Sequence, residues 1–431
     1  MRWLLVSSQH HPSHGGIGAY VARFMAAAVE AGWEIDLVTR PSLLHPVRAT
    51  VHEIATTDMD ESFAGRLQRL RRIERIRPYR YALWSRAVAE KLLHIDKAFD
   101  VIEFVDCQAE GYASLCSSRV RQRFPGVPMI VHAHTPMFVE EAINHADANR
   151  FGRSIYHNWE RQALWAADGV ITTSKLLADR LPRVKNIRVM PYPIASEPFD
   201  QLSAAFKTKS ILLIGSVQPR KGVEIWARSL NRVLRKHPDA SAILIGPDTA
   251  TGPNGQSMSE HLWQLLDPQV RDRLRITGNV PHADVQRMIT EASLVVVPSL
   301  FESFSFVAAE ALLRGVPVIV SEQVGIAEHV QGLKMVPVGD VKSLAAAQLE
   351  VLDDVAAARR QTVACRERML EACSPARHLQ QRISFIDAIS SCPSEPIVDP
   401  THTDALEEID EFTSSVERME RSSGMASSVR S

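Results

Sequence analysis

Short runs of β-branched and other apolar residues alternate along the chain with longer stretches of helix-forming residues. The apolar runs predict strands buried on both faces, and they lie at residues 3–7, 34–39, 101–105, 128–133, 210–216, 242–246, 274–278, 294–297 and 316–320. Helix-forming stretches separate most of these runs, as residues 19–31 separate the first two. This order of strand, helix and strand predicts an α/β fold with parallel sheets.

Length and composition indicate a globular protein with more than one domain. A chain of 431 residues exceeds one ordinary core, so we expect two domains and an appendage. Hydrophobic residues make up 45% and charged residues 23%, which is typical of a soluble enzyme. The formal net charge of −1 argues against a general nucleic-acid binder.

Cysteine usage and the first residues suggest where the protein works. The chain has 5 cysteines without CxxC or ligand-like spacing, which predicts neither a disulfide framework nor a zinc site. The N-terminal apolar run is too short for a signal peptide, and no apolar run is long enough to cross a membrane. We therefore predict a cytoplasmic protein.

The most informative segment runs from residue 294 to residue 329. A buried strand is followed by a turn with Glu302, a helix over 306–314, and Gly315 at the position of a helix C-cap glycine. Glu302 and Glu310 would be about 12 Å apart at helical rise, on roughly one side. The helix N-terminus between them suits phosphates. One long polar ligand would touch both glutamates and the helix end, although chance also produces this spacing.

A glycine-rich loop, GGIG at residues 15–18, follows the first strand and leads into a helix. Its glycines stand where phosphate-binding loops stand, but they differ from the dinucleotide fingerprint GxGxxG. Thr39 and Arg40 stand at the end of the second strand, where a dehydrogenase has an acidic residue. The loop therefore gives little support to a dehydrogenase. The alternative to a phosphate-binding loop is a tight strand–helix turn without a ligand.

Two further groups of polar residues stand at predicted strand ends, where α/β sheets bind ligands. The strand at 128–133 brings His132 and His134 to one face, so the pattern does not separate them. A lone histidine is usually structural, and this alternative stays open. The strand at 210–216 precedes Arg220 and Lys221, and two cations within reach of a diphosphate offset the cost of its desolvation.

Taken together, these segments resemble glycosyltransferase family 4, retaining nucleotide-sugar enzymes with two Rossmann-like domains that face each other across a cleft (the GT-B architecture). The resemblance spans roughly residues 1–392. It is carried by GGxG, the histidine after a strand, Lys-Gly at 221–222 and the E-x7-E block LFESFSFVAAEALLRGVPVIVSE at 300–322. ADGVITTS at 167–174 and MPYP at 190–193 also resemble the family.

The resemblance implies a role for each candidate residue. Glu302 and His134 would be catalytic, with His132 as the second choice for the histidine. Glu302 would hold the donor sugar near its reacting carbon, and His134 would contact the sugar from the facing domain. Glu310 would bind the ribose, and Lys221 with Arg220 the diphosphate. The implied donor-binding set is Glu310, Lys221, Arg220, Gly15, Gly16, Ser303, Phe304, Ser305, Ser216 and Val280.

Departures from the family pattern keep other functions open. Ser303 and Ser305 replace glycines after the first glutamate, and Ser216 replaces an arginine. A catalytically silent GT-B protein that binds a nucleotide sugar or acts as a scaffold is therefore the alternative. A sugar-nucleotide epimerase has no positive support. We predict a retaining, metal-independent hexosyltransferase without a cofactor, which uses a nucleoside-diphosphate sugar in glycan or surface-polysaccharide biosynthesis.

Changes in composition along the chain suggest its domain boundaries. We predict an N-terminal, acceptor-side domain over 1–193, a nucleotide-sugar-binding domain over 194–372, and a helix over 373–392 that crosses back to the first domain. Residues 193–209 are polar and predict the interdomain linker. Residues 393–431 hold nine acidic and three basic residues. This composition predicts a disordered tail with at most a weak helix over 404–421.

Residues 61–91 contain eight arginines among apolar residues at helical spacing. This pattern predicts an amphipathic helix with a basic face, interrupted near Pro78. With Trp84 nearby, that face suggests contact with an anionic membrane and a lipid-linked sugar acceptor. A solvated face over a packed stripe is the favoured alternative. Asp58 and Asp60 form a DxD pattern, which we interpret as surface because no strand precedes it.

Overall fold

The computed structural model describes residues 1–11, 15–42, 48–54, 77–144, 150–196, 209–391 and 404–428. The predicted Asp58 and Asp60, the arginines at 66–75 and most of the predicted linker lie outside these ranges. Two parallel sheets and the helices around them account for most of the described chain. The predicted α/β fold class is confirmed.

The first sheet has seven parallel strands in the order β3-β2-β1-β4-β5-β6-β7. Its strands are β1 (Arg2–Val6), β2 (Glu34–Thr39), β3 (Thr50–Glu53), β4 (Val101–Val105), β5 (Met129–Ala133), β6 (Gly169–Thr172) and β7 (Ile187–Val189). Every residue of β4, β5 and β6 is buried, because helices cover both faces of a parallel sheet.

The helices of this half lie between the strands. They are α1 (Gly16–Glu30), α2 (Arg77–His94), α3 (Tyr112–Leu115), α4 (Ser118–Arg123), α5 (Met137–Ile143), α6 (Arg150–Ala166) and α7 (Lys175–Ala178). Helix α1 begins at the GGxG loop, as the sequence predicts. Helix α2 includes Pro78 in its first turn, where the missing amide is tolerated.

The second sheet has six parallel strands in the order β10-β9-β8-β11-β12-β13. Its strands are β8 (Lys209–Ile214), β9 (Ala240–Ile245), β10 (Leu274–Ile276), β11 (Leu294–Val297), β12 (Val318–Ser321) and β13 (Lys334–Val336). The helices are α8 (Val223–Lys236), α9 (Met258–Leu265), α10 (Pro268–Arg271), α11 (His282–Glu291), α12 (Phe306–Leu313), α13 (Val341–Asp353), α14 (Val355–Ala372), α15 (Pro375–Ser391) and α16 (Ala405–Ser428).

One hydrophobic cluster joins the two halves. It contains Tyr20 and Met190 from the first half together with Phe304 and Leu312 from the second. Helix α15 packs on the first half, where a Cβ added at Gly169 would lie 2.6 Å from the Phe385 ring. The carboxyl edges of the two sheets therefore meet along a packed interface.

The C-terminal segment differs from its prediction. Residues 404–428 are described, and helix α16 packs on α2 and α3 with Ala405, Leu406 and Ile409 buried. The Glu408 carboxylate accepts hydrogen bonds from the Tyr112 hydroxyl at 2.7 Å and from Trp159 Nε1 at 3.1 Å. The helix lies where the sequence predicts at most a weak one, and its buried contacts are not those of a disordered segment. The acidic composition concealed a short apolar stripe at helical spacing, which is enough to bind the helix to the protein.

The described part of the predicted basic helix agrees with the favoured alternative, a packed stripe beneath a polar face, rather than with a membrane contact through Trp84. The Trp84 side chain is buried, and the Arg40 guanidinium lies 4.6 Å from its ring centroid. Arg86 pairs with Asp410 of α16 at 2.7 Å and with Glu90 at 3.1 Å. Trp84 is thus a core residue and Arg86 a partner of the C-terminal helix. In the described ranges, no helix is both long enough and apolar enough to cross a bilayer.

Candidate active site

The site lies where loops from the carboxyl ends of the two sheets touch. The hydroxyl of Thr135, after β5, donates to Ser303 Oγ at 3.2 Å, and the hydroxyl of Thr173, after β6, donates to the Ser303 carbonyl at 2.8 Å. Glu328 accepts the amides of Lys175 and Leu176 at 2.6 and 2.8 Å. These contacts place the β11–α12 loop of the second half directly against the first half.

Glu302 lies in this loop among positive charges. Its backbone pairs with residues 323 and 325, so it is held in an extended bridge rather than in a helix. The carboxylate contacts Lys221 Nζ, Arg220 Nη1 at 3.4 Å and the Ser299 hydroxyl at 3.2 Å. Burial raises the pKa of Glu302, but Lys221 and Arg220 outweigh burial and hold the pKa below its usual value. Glu302 is therefore ionised.

A short 3-10 turn, Pro219–Lys221, delivers the two cations. Gly222 ends this turn in a left-handed conformation, and a Cβ there would lie 2.0 Å from the Pro298 carbonyl oxygen. Only glycine fits such a close approach. Arg220 is 8% exposed, and its guanidinium also contacts Glu140 at 3.3 Å and the Phe301 carbonyl at 3.2 Å.

Arg220 and Lys221 differ in how much of their positive charge is already neutralised by neighbouring carboxylates. Burial lowers the pKa of Arg220, but the carboxylates of Glu302 and Glu140 outweigh burial and hold the pKa above its usual value. Burial lowers the pKa of Lys221, against the opposing attraction of Glu302. Arg220 mainly joins Glu302 to Glu140 of α5, so Lys221 is the better candidate for a diphosphate.

Glu310 lies one turn into α12 and is 9% exposed. Its carboxylate accepts a hydrogen bond from Gln286 Nε2 at 2.8 Å and pairs with Arg23 of α1 at 3.4 Å. Because residues 302–305 precede the helix, the spacing of about 12 Å at helical rise does not apply to Glu302 and Glu310. The two glutamates nevertheless flank the N-terminus of α12, as the sequence suggests.

Ser303, Phe304 and Ser305 fill the gap between the two glutamates. Ser303 and Phe304 are buried in the contact with the first half, and the Phe304 ring lies 5.0 Å from that of Tyr192. Ser305 has φ 100° and ψ 93° and caps α12, with its hydroxyl accepting the Ala308 amide at 3.3 Å. A left-handed backbone at Ser305 explains why glycine suits this position.

His134 faces this loop from the first half. The Asp106 carboxylate accepts its amide at 2.9 Å, and its Nδ1 pairs with the Tyr192 hydroxyl. The buried Nε2 has no hydrogen-bond partner among the described residues. Burial, reinforced by His132, lowers the pKa of His134 well below its usual value, so its imidazole is neutral.

His132 lies inside β5 and stacks on His134, with ring centroids 4.5 Å apart. The two histidines share one face, as alternation predicts. His132 is fully buried beside Arg382 and Glu103, whereas His134 follows the strand and adjoins the loop contact. The position of His134 makes it the better candidate for a ligand contact.

The remaining predicted residues lie at turns around the same edge. Gly15 has φ 91° and caps α1, which begins at Gly16, and a Cβ at either position would meet no atom within 4 Å. Ser216 follows β8, beside Gly246. Val280 is half-buried in the turn before α11. In the described part of the chain, no group of three His, Cys, Asp or Glu residues is placed to hold a metal ion.

Comparison with protein families covers both halves of the chain. Residues 15–193 match the glycosyl transferase 4-like domain, and residues 208–354 match the family of glycosyl transferases group 1. The chain belongs to glycosyltransferase family 4. The predicted family, the GT-B fold and the assignment as a glycosyltransferase that uses a nucleotide sugar are confirmed.

Relatives and solved structures cover most of the chain. Glycogen synthase of Mycobacterium tuberculosis (strain H37Rv) is 27% identical over 400 residues, which is 86% of this chain and 90% of that protein. MMP alpha-(1->4)-mannosyltransferase of Mycolicibacterium hassiacum is 22% identical over 405 residues, which is 87% of this chain and 95% of that protein. Sucrose-phosphate synthase from Thermosynechococcus elongatus shares the fold with a TM-score of 0.63 at 21% identity, over 90% of this chain and 99% of that chain. Anabaena HepE, solved with UDP and glucose, has a TM-score of 0.61 at 16% identity. The match covers 90% of this chain and 100% of that chain.

Sequence reasoning missed several residues of this glycosyltransferase site. Glu140 holds Arg220, while Arg23 and Gln286 hold Glu310. Asp106 fixes the backbone that presents His134. Arg23 lies on the helix that the glycine loop starts, which was the one available signal, but nothing in the sequence shows what it contacts.

Proposed function

We propose how this glycosyltransferase binds its donor. The diphosphate lies at Lys221 and the N-terminus of α12, the ribose hydroxyls at Glu310, and the sugar between Glu302 and His134. The observation that carries the proposal is the half-buried Glu302–Lys221 pair, whose glutamate lies in the loop that touches the first half. HepE, which shares the fold and was solved with UDP and glucose, supports a nucleotide-sugar donor.

The charges of these groups suit transfer of a sugar with a departing diphosphate. Positive charge develops at the anomeric carbon as the bond to phosphate breaks, and negative charge develops on the phosphate. Lys221 stabilises the phosphate, and the ionised Glu302 lies on the sugar side. A neutral His134 donates or accepts a hydrogen bond without adding a repelling positive charge. Groups aligned in advance with these charges lower the barrier most. In this proposal Lys221 takes the place of a metal ion.

The acceptor is proposed to be a sugar hydroxyl in glycan or polysaccharide synthesis. The names of the relatives, glycogen synthase and an alpha-(1->4)-mannosyltransferase, support this class of acceptor. A cytoplasmic location fits such an enzyme. A more specific form of this proposal is that the acceptor sugar is linked to a lipid at an anionic membrane. Its support is the group of arginines at 66–75 in the sequence. Sedimentation with anionic liposomes at low salt tests this version, and absence of binding would remove it.

The test of the proposal is acceptor-dependent release of nucleoside diphosphate. Purified protein is offered UDP-, ADP- and GDP-linked hexoses, with and without oligosaccharide acceptors, in the presence and absence of EDTA. We expect release only with acceptor, no effect of EDTA, and retained anomeric configuration in the product. The double variant Glu302→Gln, Glu310→Gln should be inactive, and Glu291→Gln on the exposed end of α11 should behave as the native protein.

The assay also decides between transferase and silent binder. A protein that is stabilised by a nucleotide sugar but releases no diphosphate with any acceptor would favour the silent GT-B protein. Native activity in the double variant would place the reaction elsewhere in the molecule. Inhibition by EDTA that added metal reverses would contradict the proposed role of Lys221.

A further inference from the structure

A fully buried ion pair lies behind the two stacked histidines. Arg382 of α15 and Glu103 of β4 are both 0% exposed. Arg382 Nη1 donates to Glu103 Oε2 at 2.5 Å, and Nη2 lies 3.3 Å from Oε1. Trp3 Nε1 and the Tyr20 hydroxyl also donate to the Glu103 carboxylate, at 2.9 and 2.6 Å. The negative charge is therefore well matched by hydrogen bonds.

The same guanidinium reaches two histidines. Nη2 contacts His132 Nδ1 at 2.9 Å and the Tyr20 hydroxyl at 2.6 Å, while Nε contacts His378 Nε2 at 2.8 Å. Replacing a buried ion pair by apolar residues is often neutral or stabilising. Stability alone therefore gives no reason for this arrangement, and a role in fixing geometry is a reasonable alternative.

The contacts determine where the histidine protons are. A guanidinium only donates, so its contact with His132 Nδ1 assigns that atom as the acceptor and the His132 proton to Nε2, which is buried without a hydrogen-bond partner among the described residues. His378 Nδ1 lies 2.8 Å from the Pro191 carbonyl oxygen, which only accepts, so that histidine carries its proton on Nδ1 and accepts from Arg382 through Nε2. Both assignments agree with neutral rings. Arg382 thus selects one tautomer and one ring orientation for His132.

This selection extends to His134 through packing. The His132 and His134 rings are nearly parallel, 19° apart, and Tyr20 packs against both, with centroids at 4.4 and 4.7 Å. The Tyr192 ring also stacks on His134 at 5.5 Å and lies 5.1 Å from the Tyr20 ring. A change in the orientation of His132 would therefore move the ring that faces the site.

We propose that Arg382 is a positioning residue for glycosyl transfer, which acts through His132 to hold the neutral imidazole of His134 at the donor sugar. The inference rests on the proposed contact of His134 with the donor sugar. Burial and the neighbouring His132 lower the pKa of His134, while Glu103 offsets the effect of Arg382 on it. An imidazolium there would oppose the positive charge that develops at the anomeric carbon.

The test combines a conservative substitution with kinetics. Arg382→Lys keeps a cation beside Glu103. Because the lysine ammonium is a compact charge and not a planar fork of donors, it cannot contact Glu103 and both histidines at once. We expect kcat to fall on the order of 10-fold to 100-fold, as for a small misplacement of a reacting group, with the donor KM nearly unchanged. Arg377→Lys, on the exposed face of α15, is the matched control and should have native kinetics.

A double-variant cycle shows whether the effect passes through His134. If Arg382 acts through His134, Arg382→Lys should cost little further in a His134→Ala background. Equal losses in both backgrounds, or a lowered melting temperature with native kcat, would overturn the inference and leave Arg382 as a structural residue. If His134→Ala alone retains native kcat, the proposed role of His134 fails and this inference fails with it.

A spectroscopic measurement avoids dependence on one variant. ¹⁵N NMR of histidine-labelled native protein should show His132 protonated on Nε2 and not on Nδ1 near neutral pH. His132→Phe keeps a stacked ring but removes the acceptor for Arg382, and it should lower kcat like Arg382→Lys. A His132 protonated on Nδ1, or native kcat in His132→Phe, would contradict the proposed link.

Discussion

Lys221 and Glu302 form a half-buried ion pair between two loops that are 81 residues apart in sequence. The lysine follows β8 and the glutamate follows β11, and β8 and β11 are neighbours in the sheet. Neighbouring parallel strands bring their carboxyl ends together, so this pair is a direct consequence of the strand order. The pair joins the proposed diphosphate site to the proposed sugar site.

The first prediction concerns the charge of Lys221. Lys221→Ala should lower kcat/KM for the donor by about 10²–10³, the loss typical of removing one preorganised group that stabilises transition-state charge. Steady-state kinetics measures this loss, and Lys236→Ala on the exposed end of α8 is the control. Because the single variant leaves the half-buried Glu302 with Arg220 as its remaining cationic partner, the double variant Lys221→Ala, Glu302→Gln should regain stability without regaining activity. Regained activity would contradict the proposed role.

The second prediction separates Glu310 from Glu302. Contact with the ribose is similar in the ground state and in the transition state, so Glu310→Ala should raise the donor KM about 10-fold or more and change kcat little. Glu302→Ala should mainly lower kcat. Both constants are measured by donor titration at saturating acceptor, with Glu291→Ala as the control. A fall in kcat at constant KM for Glu310→Ala would move Glu310 into the chemical step.

The third prediction concerns the left-handed Ser305. A non-glycine residue at φ 100° and ψ 93° is strained, typically by about 1–3 kcal/mol. Ser305→Gly removes this strain, while the lost cap costs a few tenths of a kcal/mol and the freer unfolded chain about 0.4–1 kcal/mol. We expect a net gain in the free energy of unfolding, measured by urea denaturation. Ser343→Gly, in the first turn of α13, should destabilise, and a similar loss for Ser305→Gly would refute the strain.

The sequence predicts elements whose signal is local. The β-branched run at β11 and Gly315 after α12 identify a strand and a helix end because burial and backbone conformation act on neighbouring residues. The order of such elements also predicts which loops share a sheet edge. Element order does not bring His134 of the first half near Glu302 and Lys221 of the second, and it is the resemblance to glycosyltransferase family 4 that implies a shared donor for the three.

Contacts between distant residues have no such local signal. Arg382 looks like a surface arginine in an ordinary helix, and only packing reveals its pairing with Glu103, 279 residues away. Likewise, Arg220 is a predicted diphosphate ligand, but its guanidinium donates to the Glu140 carboxylate, a contact without a local signal in the sequence. Overall composition misled in the C-terminal segment, where the burial of Ile409 depends on a few apolar positions among many charges.

The last prediction uses the buried carboxylate that presents His134. Burial raises the pKa of Asp106 from 3.8 to about 7, although its Oδ2 accepts the amides of His134 and Thr135 at 2.9 and 3.1 Å. The folded pKa is above the unfolded pKa, so folding favours the protonated form. The stabilising contribution of Asp106 is thus complete below pH 3.8 and is lost as the pH rises through about 7. At about 1.36 kcal/mol per pH unit, this loss is on the order of 4 kcal/mol.

Asp106→Asn tests this prediction, because asparagine has the shape of the protonated acid and does not titrate. Relative to the native protein, the variant should gain stability on the order of 4 kcal/mol between pH 4 and pH 8, measured as the difference in urea unfolding free energy at each pH. A constant offset from altered packing cancels in that difference. Asp100→Asn is the control of opposite sign. Burial of Asp100 is slight, and the amide and guanidinium of Arg2 lower its pKa, so its stabilising contribution is lost only as the pH falls below 3.8. A pH-independent difference for Asp106→Asn would mean that Asp106 is ionised throughout and that its charge is compensated within the fold.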